Sequence, residues 1–113
     1  MAEGVDVTDA LRRLLPGVHD FAEIFRAPNG TLSLTVARWP AGSVDDQTPH
    51  TEDEVYHVVA GRAALLVGED RQAVGPGSVV YVGAGVEHRF VEIDEDLDVL
   101  VFWSPARHTN AAR

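Results

Sequence analysis

The 113-residue chain is 45 % apolar and 24 % charged, ordinary proportions for one globular domain of modest core. Its formal net charge of −9 speaks against nucleic acid or an anionic membrane surface as partner, and the absence of cysteine excludes disulfides, thiolate metal sites and cysteine nucleophiles. No apolar run approaches the ~20 residues of a spanning helix, and acids precede the first arginines, unlike a secretory leader, so a cytoplasmic location is expected.

In chain order, Thr8 to Leu15 reads as a short helix, with Thr8 or Asp6 as cap, Leu11, Leu14 and Leu15 as its apolar stripe, and Pro16-Gly17 as its stop. Residues 1–18 then form a helical arm of the same domain that 19–113 completes. Beyond the arm the pattern turns to strands. Phe21–Arg26 and Thr31–Trp39 flank Pro28-Asn29-Gly30, a hairpin signal because Asn-Gly tolerates positive φ. Glu54–Ala60 and Arg62–Val67 flank Gly61, and Arg71–Val74, Ser78–Val82, Glu87–Ile93 and Leu97–Trp103 follow, separated by Gly, Pro or acidic turns.

Seventeen valines favour pleated sheet, and some eight short strands imply an all-β sandwich or small barrel. The runs Val79–Val82 and Asp98–Trp103 are apolar on both faces, as in strands covered from both sides, one cover being a partner subunit. Residues 107–113 are small or polar and read as a frayed end.

The chemistry concentrates in two segments. Gly42 to Gly61 reads GSVDDQTPHTEDEVYHVVAG and Gly77 to His88 reads GSVVYVGAGVEH. His50 and Glu54, four apart, share a face if the segment is extended, and His88 joins them from a neighbouring strand. Two imidazoles and a carboxylate with positions left open suit a borderline divalent metal such as non-haem iron. Asp45, Asp46, Glu52, Asp53 and Glu54 surround His50, and as a site mouth they would disfavour anionic substrates unless a metal offsets them.

These two segments resemble the paired motifs of the cupin family, small single-domain cupins in particular. Gly42, five residues, Thr48-Pro49-His50, three residues, Glu54, six residues and Gly61 follow the first motif, with Thr48 where the family has its first histidine. Gly77, five residues, Gly83-Ala84-Gly85, two residues, His88, three residues and Glu92 follow the second, with Gly83 replacing proline and Glu92 replacing asparagine. The resemblance implies a cupin-type jelly-roll β-barrel with a short N-terminal helix, commonly paired as a homodimer. It implies one divalent transition metal (Fe, Mn, Zn, Ni or Co) held by His50, Glu54 and His88 inside the barrel. The fourth ligand, in place of Thr48, is either the Gln47 amide oxygen or water.

The resemblance further implies dioxygenase-like chemistry on a small organic molecule, with isomerase, decarboxylase and lyase reactions on the same frame. A non-catalytic small-molecule or metal-binding module is the alternative. Tyr56, two after Glu54, faces inward, where its hydroxyl relays a proton, orients a ligand or satisfies a core partner. Phe90 is expected in the pocket wall, His57 outside, and His19 and His108 in solvent. Arg38 is read as a salt-bridging residue, and Trp39 and Trp103 as packing or dimer contacts rather than substrate platforms.

Overall fold

The computed structural model describes residues 4–109. Eight antiparallel strands form two facing sheets, with one helix outside. The helix α1 spans Val7–Arg12, capped by Asp6, whose Oδ1 accepts from Asp9 N at 2.8 Å. It stops three residues short of the expected Leu15. Leu14 N already bonds the i−3 carbonyl of Leu11, and Leu15 N is captured by Asp20 Oδ2 at 2.8 Å. Leu15 is consequently exposed, and the buried stripe is Leu11 and Leu14.

The strands are β1 Asp20–Arg26, β2 Ser33–Trp39, β3 Asp53–Ala60, β4 Ala63–Val67, β5 Asp70–Val74, β6 Val79–Val82, β7 His88–Val91 and β8 Leu97–Ser104. All eight expected strands form, with ends moved by one or two residues. The β1–β2 turn closes through Gly30 N donating to Ala27 O at 2.9 Å, and only Gly30 has positive φ. The expected Asn-Gly hairpin is therefore a four-residue turn with glycine last. Asn29 instead uses its side-chain oxygen to accept from Thr31 N and Oγ1.

One sheet has the order β1-β2-β8-β3-β6 and the other β5-β4-β7, a double-sheet jelly roll. Alternation along β3 sends Glu54, Tyr56 and Val58 inward, all at most 2 % exposed. They meet Val82, Val80, Leu97, Val99, Val101 and Leu65 in the apolar interior. Between β3 and β4, Gly61 has φ +93°, and a Cβ there would stand 2.2 Å from the Asp96 carbonyl oxygen, so glycine alone lets the strands turn against the β7–β8 loop.

The outer face of the larger sheet is covered only in part. Leu11 of α1 and Leu14 just beyond it pack on Val36 and Leu100, but Val79, Tyr81 and Phe102 are 63 %, 62 % and 36 % exposed. The doubly apolar runs thus have one full cover within the chain, the barrel interior. The segment after β8 is tied down as far as it is described: Ala106 N donates to Gly30 O, and Arg107 N to Ser33 Oγ at 2.8 Å. Arg107 is therefore anchored rather than frayed; residues 110–113 lie outside the described residues.

Candidate metal centre

His50, Glu54 and His88 converge, each offering one ligand atom within 4.8 Å of the others. The route differs from the one expected. Glu54 is on β3 and His88 opens β7, strands of opposite sheets, so the pair meets across the barrel rather than along one sheet. His50 precedes β3 in a loop, not on an extended strand. The loop is held by the second motif: Gly85 N donates to His50 O at 2.7 Å, and Ala84 N to Asp53 Oδ1 at 2.9 Å. The two motifs are stitched through their backbones, which brings their histidines together.

The His88 Nδ1–H donates to Val86 O at 2.9 Å, which leaves Nε2 with its lone pair facing inward when the ring is neutral. Nε2 stands 3.2 Å from Glu54 Oε1, and His50 Nε2 stands 3.7 Å from the same oxygen. Neither Glu54 oxygen accepts a hydrogen bond, although the residue is 1 % exposed. A buried carboxylate without a donor costs several kcal/mol unless a cation meets it.

Gln47 completes the group. Its Oε1 lies 3.1 Å from His88 Nε2, 3.3 Å from His50 Nε2 and 3.2 Å from the Tyr56 hydroxyl. Its amide is turned that way by Asp45, a buried acid whose Oδ2 accepts from Gln47 Nε2 at 2.5 Å. Asp45 is itself fixed by the backbone N–H groups of Gln47 and Phe90. Thr48, in the place of the family's first histidine, is exposed and lines a surface cleft with Gln47 and His88. Four potential ligand atoms, two imidazole nitrogens, a carboxylate oxygen and an amide oxygen, thus converge beside the Tyr56 hydroxyl, a set that fits a divalent cation.

The electrostatics divide the two histidines. Burial opposes charge on both. At His50 it prevails, aided by His88 and Arg107, and the pKa falls below 6.5. At His88 it is outweighed by the Glu54 carboxylate 3.2 Å away, the Val86 carbonyl and the charge of Asp45, so the pKa rises above 6.5. Burial and then Glu54 push the Tyr56 phenol well above 10, so Tyr56 is a neutral proton donor at physiological pH.

Above the cluster a small cavity of about 90 Å³ opens to the surface, with Gln47, His50 and Tyr56 at its floor. Trp39 and Trp103 line it while packing in the core, as expected, and His19, exposed as expected, also stacks on Trp39 at 4.6 Å and 14°. Trp103 also sets its ring edge-on to His50 at 4.8 Å and donates its indole N–H to Thr35 Oγ1. Phe90, expected as wall, is 1 % exposed behind Tyr56 and Trp39 and belongs to the core. Arg38 pairs with Asp98 at 2.6 Å, as expected of a salt-bridging residue.

The acids near His50 do not form the mouth. Asp45 and Glu52 are buried, the former on Gln47 and the latter accepting from Thr51 Oγ1, while Asp53 caps Ala84 N. The hold of Asp45 on Gln47 and the place of Arg107 at the cavity are what pattern reading passed over. Asp45 could have been found from its place two before Gln47, where an Asx turn forms. Nothing in the sequence signals Arg107.

Comparison with known proteins agrees with this architecture. A family model described as "Cupin domain" matches residues 35–105. An uncharacterized protein of Streptomyces coelicolor is 60 % identical over 74 residues, covering 66 % of this chain and 70 % of that protein. The solved structure of TT1209 from Thermus thermophilus superposes with TM-score 0.74 at 20 % identity, over 90 % of this chain and 97 % of that one. A cupin 2 conserved barrel domain protein from Salinispora arenicola gives 0.71 at 22 %, over 92 % and 90 %. The DMSP lyase DddQ from Ruegeria pomeroyi gives 0.71 at 25 %, over 81 % of this chain and 51 % of that one.

Proposed function

Because the chain belongs to the cupin family, we propose that His50, Glu54 and His88 bind one divalent transition metal, with the Gln47 amide oxygen as fourth ligand. The observation that carries this reading is Glu54: a carboxylate 1 % exposed, with neither oxygen hydrogen-bonded, facing two imidazole nitrogens. Gln47 supports the fourth place because Asp45 holds its amide N–H outward and so presents its oxygen to the cluster.

The metal would supply Lewis acidity or oxygen activation to a small organic molecule entering over His50 and Tyr56. The chain's own groups do the rest. The Trp39 and Trp103 walls exclude water from the ligand's flank, and the Tyr56 hydroxyl donates a proton or hydrogen bond to an oxygen there. Dioxygenase-like turnover is the leading activity, for the two-histidine, one-carboxylate set that leaves positions open. Lyase chemistry is the second reading, favoured by the likeness to DddQ. The exposed Val79, Tyr81 and Phe102 face supports a homodimer.

The metal reading is tested on untagged protein by elemental mass spectrometry: about one metal per chain in the wild type, and near none in Glu54→Gln and His88→Ala variants that still fold. A wild-type stoichiometry well below one after metal loading refutes it. Dioxygen uptake by the Fe(II)-loaded protein over catechols, diketones and thiols then separates oxygenase from lyase or simple binder.

A further inference from the structure

The cavity above the cluster is out of character with the chain that builds it. The protein has 18 acidic residues against 9 basic ones. Yet among the described residues no carboxylate lines this cavity, and its one charged lining group is Arg107. The Arg107 guanidinium carbon lies 5.2 Å from the Phe21 ring centroid and 5.3 Å from that of Trp103, clasped between two aromatic faces. Among the described residues its guanidinium has no hydrogen-bond or ion-pair partner; Arg13, Arg26, Arg38, Arg62 and Arg71 each have a carboxylate, and of the arginines without one, Arg12, Arg89 and Arg107, only Arg107 lines this cavity.

Its position is built rather than accidental. The Arg107 backbone N–H is held by Ser33 Oγ, and its carbonyl accepts from Arg26 Nη2 at 2.7 Å, so the side chain leaves from a fixed point. A half-buried, unpaired guanidinium with five donors in a plane is matched by a carboxylate, which it grips bidentately. The walls below it are flat: the Trp103 and Phe21 rings, with His19 stacked on Trp39. The space is about 90 Å³, below the ~300–1,000 Å³ of sites for drug-sized ligands. His19, Phe21 and Arg107 all fall outside residues 35–105, so these features belong to this chain rather than to the segment matched by the family model.

We infer that the ligand of this site is a small planar carboxylic acid, conjugated or aromatic, whose carboxylate pairs with Arg107 and whose flat body lies between the aromatic walls. The inference names the ligand class for the site proposed above and rests on that reading for the chemistry, though not for the ion pair. The far end of such a molecule points down toward His50, Gln47 and Tyr56.

The probes are crotonate and benzoate, with crotonamide and benzamide as uncharged counterparts of the same shape. They are titrated into ¹⁵N-labelled protein, metal-free and zinc-loaded, while the Trp39 and Trp103 indole signals are followed. Both acids are expected to shift these signals saturably, with at least one binding tenfold or more tighter than its amide. In Arg107→Gln the acid and amide come within about twofold, while Arg107→Lys keeps part of the preference. The inference is overturned if acids and amides bind alike in the wild type, if neither acid shifts the indoles saturably, or if the preference survives in Arg107→Gln. A preference that appears only with zinc and survives Arg107→Gln assigns the carboxylate to the metal and leaves the metal reading standing. An Arg107-dependent preference in a protein that takes up no zinc supports the inference while the metal reading fails.

Discussion

The two ends of the barrel interior are built by the same strands to opposite specifications. At the closed end Val58, Leu65, Leu97 and Val99 have no exposure and no polar atom beyond the backbone. At the open end, two to four residues away along β3, Glu54 and Tyr56 are nearly as buried but polar, they face His88 of β7, and both Glu54 carboxylate oxygens go without a hydrogen bond. The first end earns stability from burial; the second holds a polar constellation in place at a cost to the fold. Substitutions at the two ends should therefore separate stability from ligand binding in opposite directions.

The largest loss of stability belongs to the closed end. Leu65→Ala removes a fully buried side chain and should lower unfolding free energy by about 2–5 kcal/mol in urea titration, with metal affinity of the folded fraction unchanged. Glu54→Gln should do the reverse. In metal-free protein it removes a buried, unpaired charge and should raise stability by about 1–3 kcal/mol, while abolishing metal uptake. A Glu54→Gln variant less stable than the metal-free wild type would break the comparison.

A smaller effect sharpens it. Asp45→Asn frees the Gln47 amide to flip and should weaken metal affinity roughly 10–100-fold, the range for groups that orient ligands, with the unfolding midpoint little changed. The pH dependence has a definite sign, because ligation needs neutral imidazoles. The pKa of His88 is raised and that of His50 lowered from 6.5, so as pH falls His88 takes its proton first. As pH is lowered, zinc affinity by calorimetry should begin to fall while the pH is still above 6.5, with the His88 ring signal titrating before that of His50; the reverse order would refute the assignment. Least of all, Tyr81→Ser on the outer face should change chain stability by only about 0.5 kcal/mol, while sedimentation should show the proposed dimer weakened.

The strands were legible because period-two patterning and glycine turns record local physics, and all eight formed within a residue or two of their expected ends. The helix overran, since its apolar stripe continues to Leu15 while the capture of Leu15 N by Asp20 is a contact no window of sequence displays. The convergence of His50, Glu54 and His88 was readable from motif spacing, but not its route: spacing cannot tell a neighbouring strand from one across the barrel. Arg107 and His19 escaped for the same reason. Each joins the cavity from an end of the chain, and only tertiary contacts to Ser33, Trp103 and Trp39 give either residue a place there.

His88 sits on a four-residue strand at the margin of the smaller sheet, paired with one strand only, β4. Such margins are where a native protein opens first, exchanging amide hydrogens without unfolding as a whole. Glu54 stands opposite on β3, a strand bonded on both sides. On the proposed ligation an ion between them fastens an edge strand of one sheet to an inner strand of the other. Metal loading should then slow amide exchange most at Arg89 and Val91, and the rate at which the ion escapes becomes the rate at which β7 peels away.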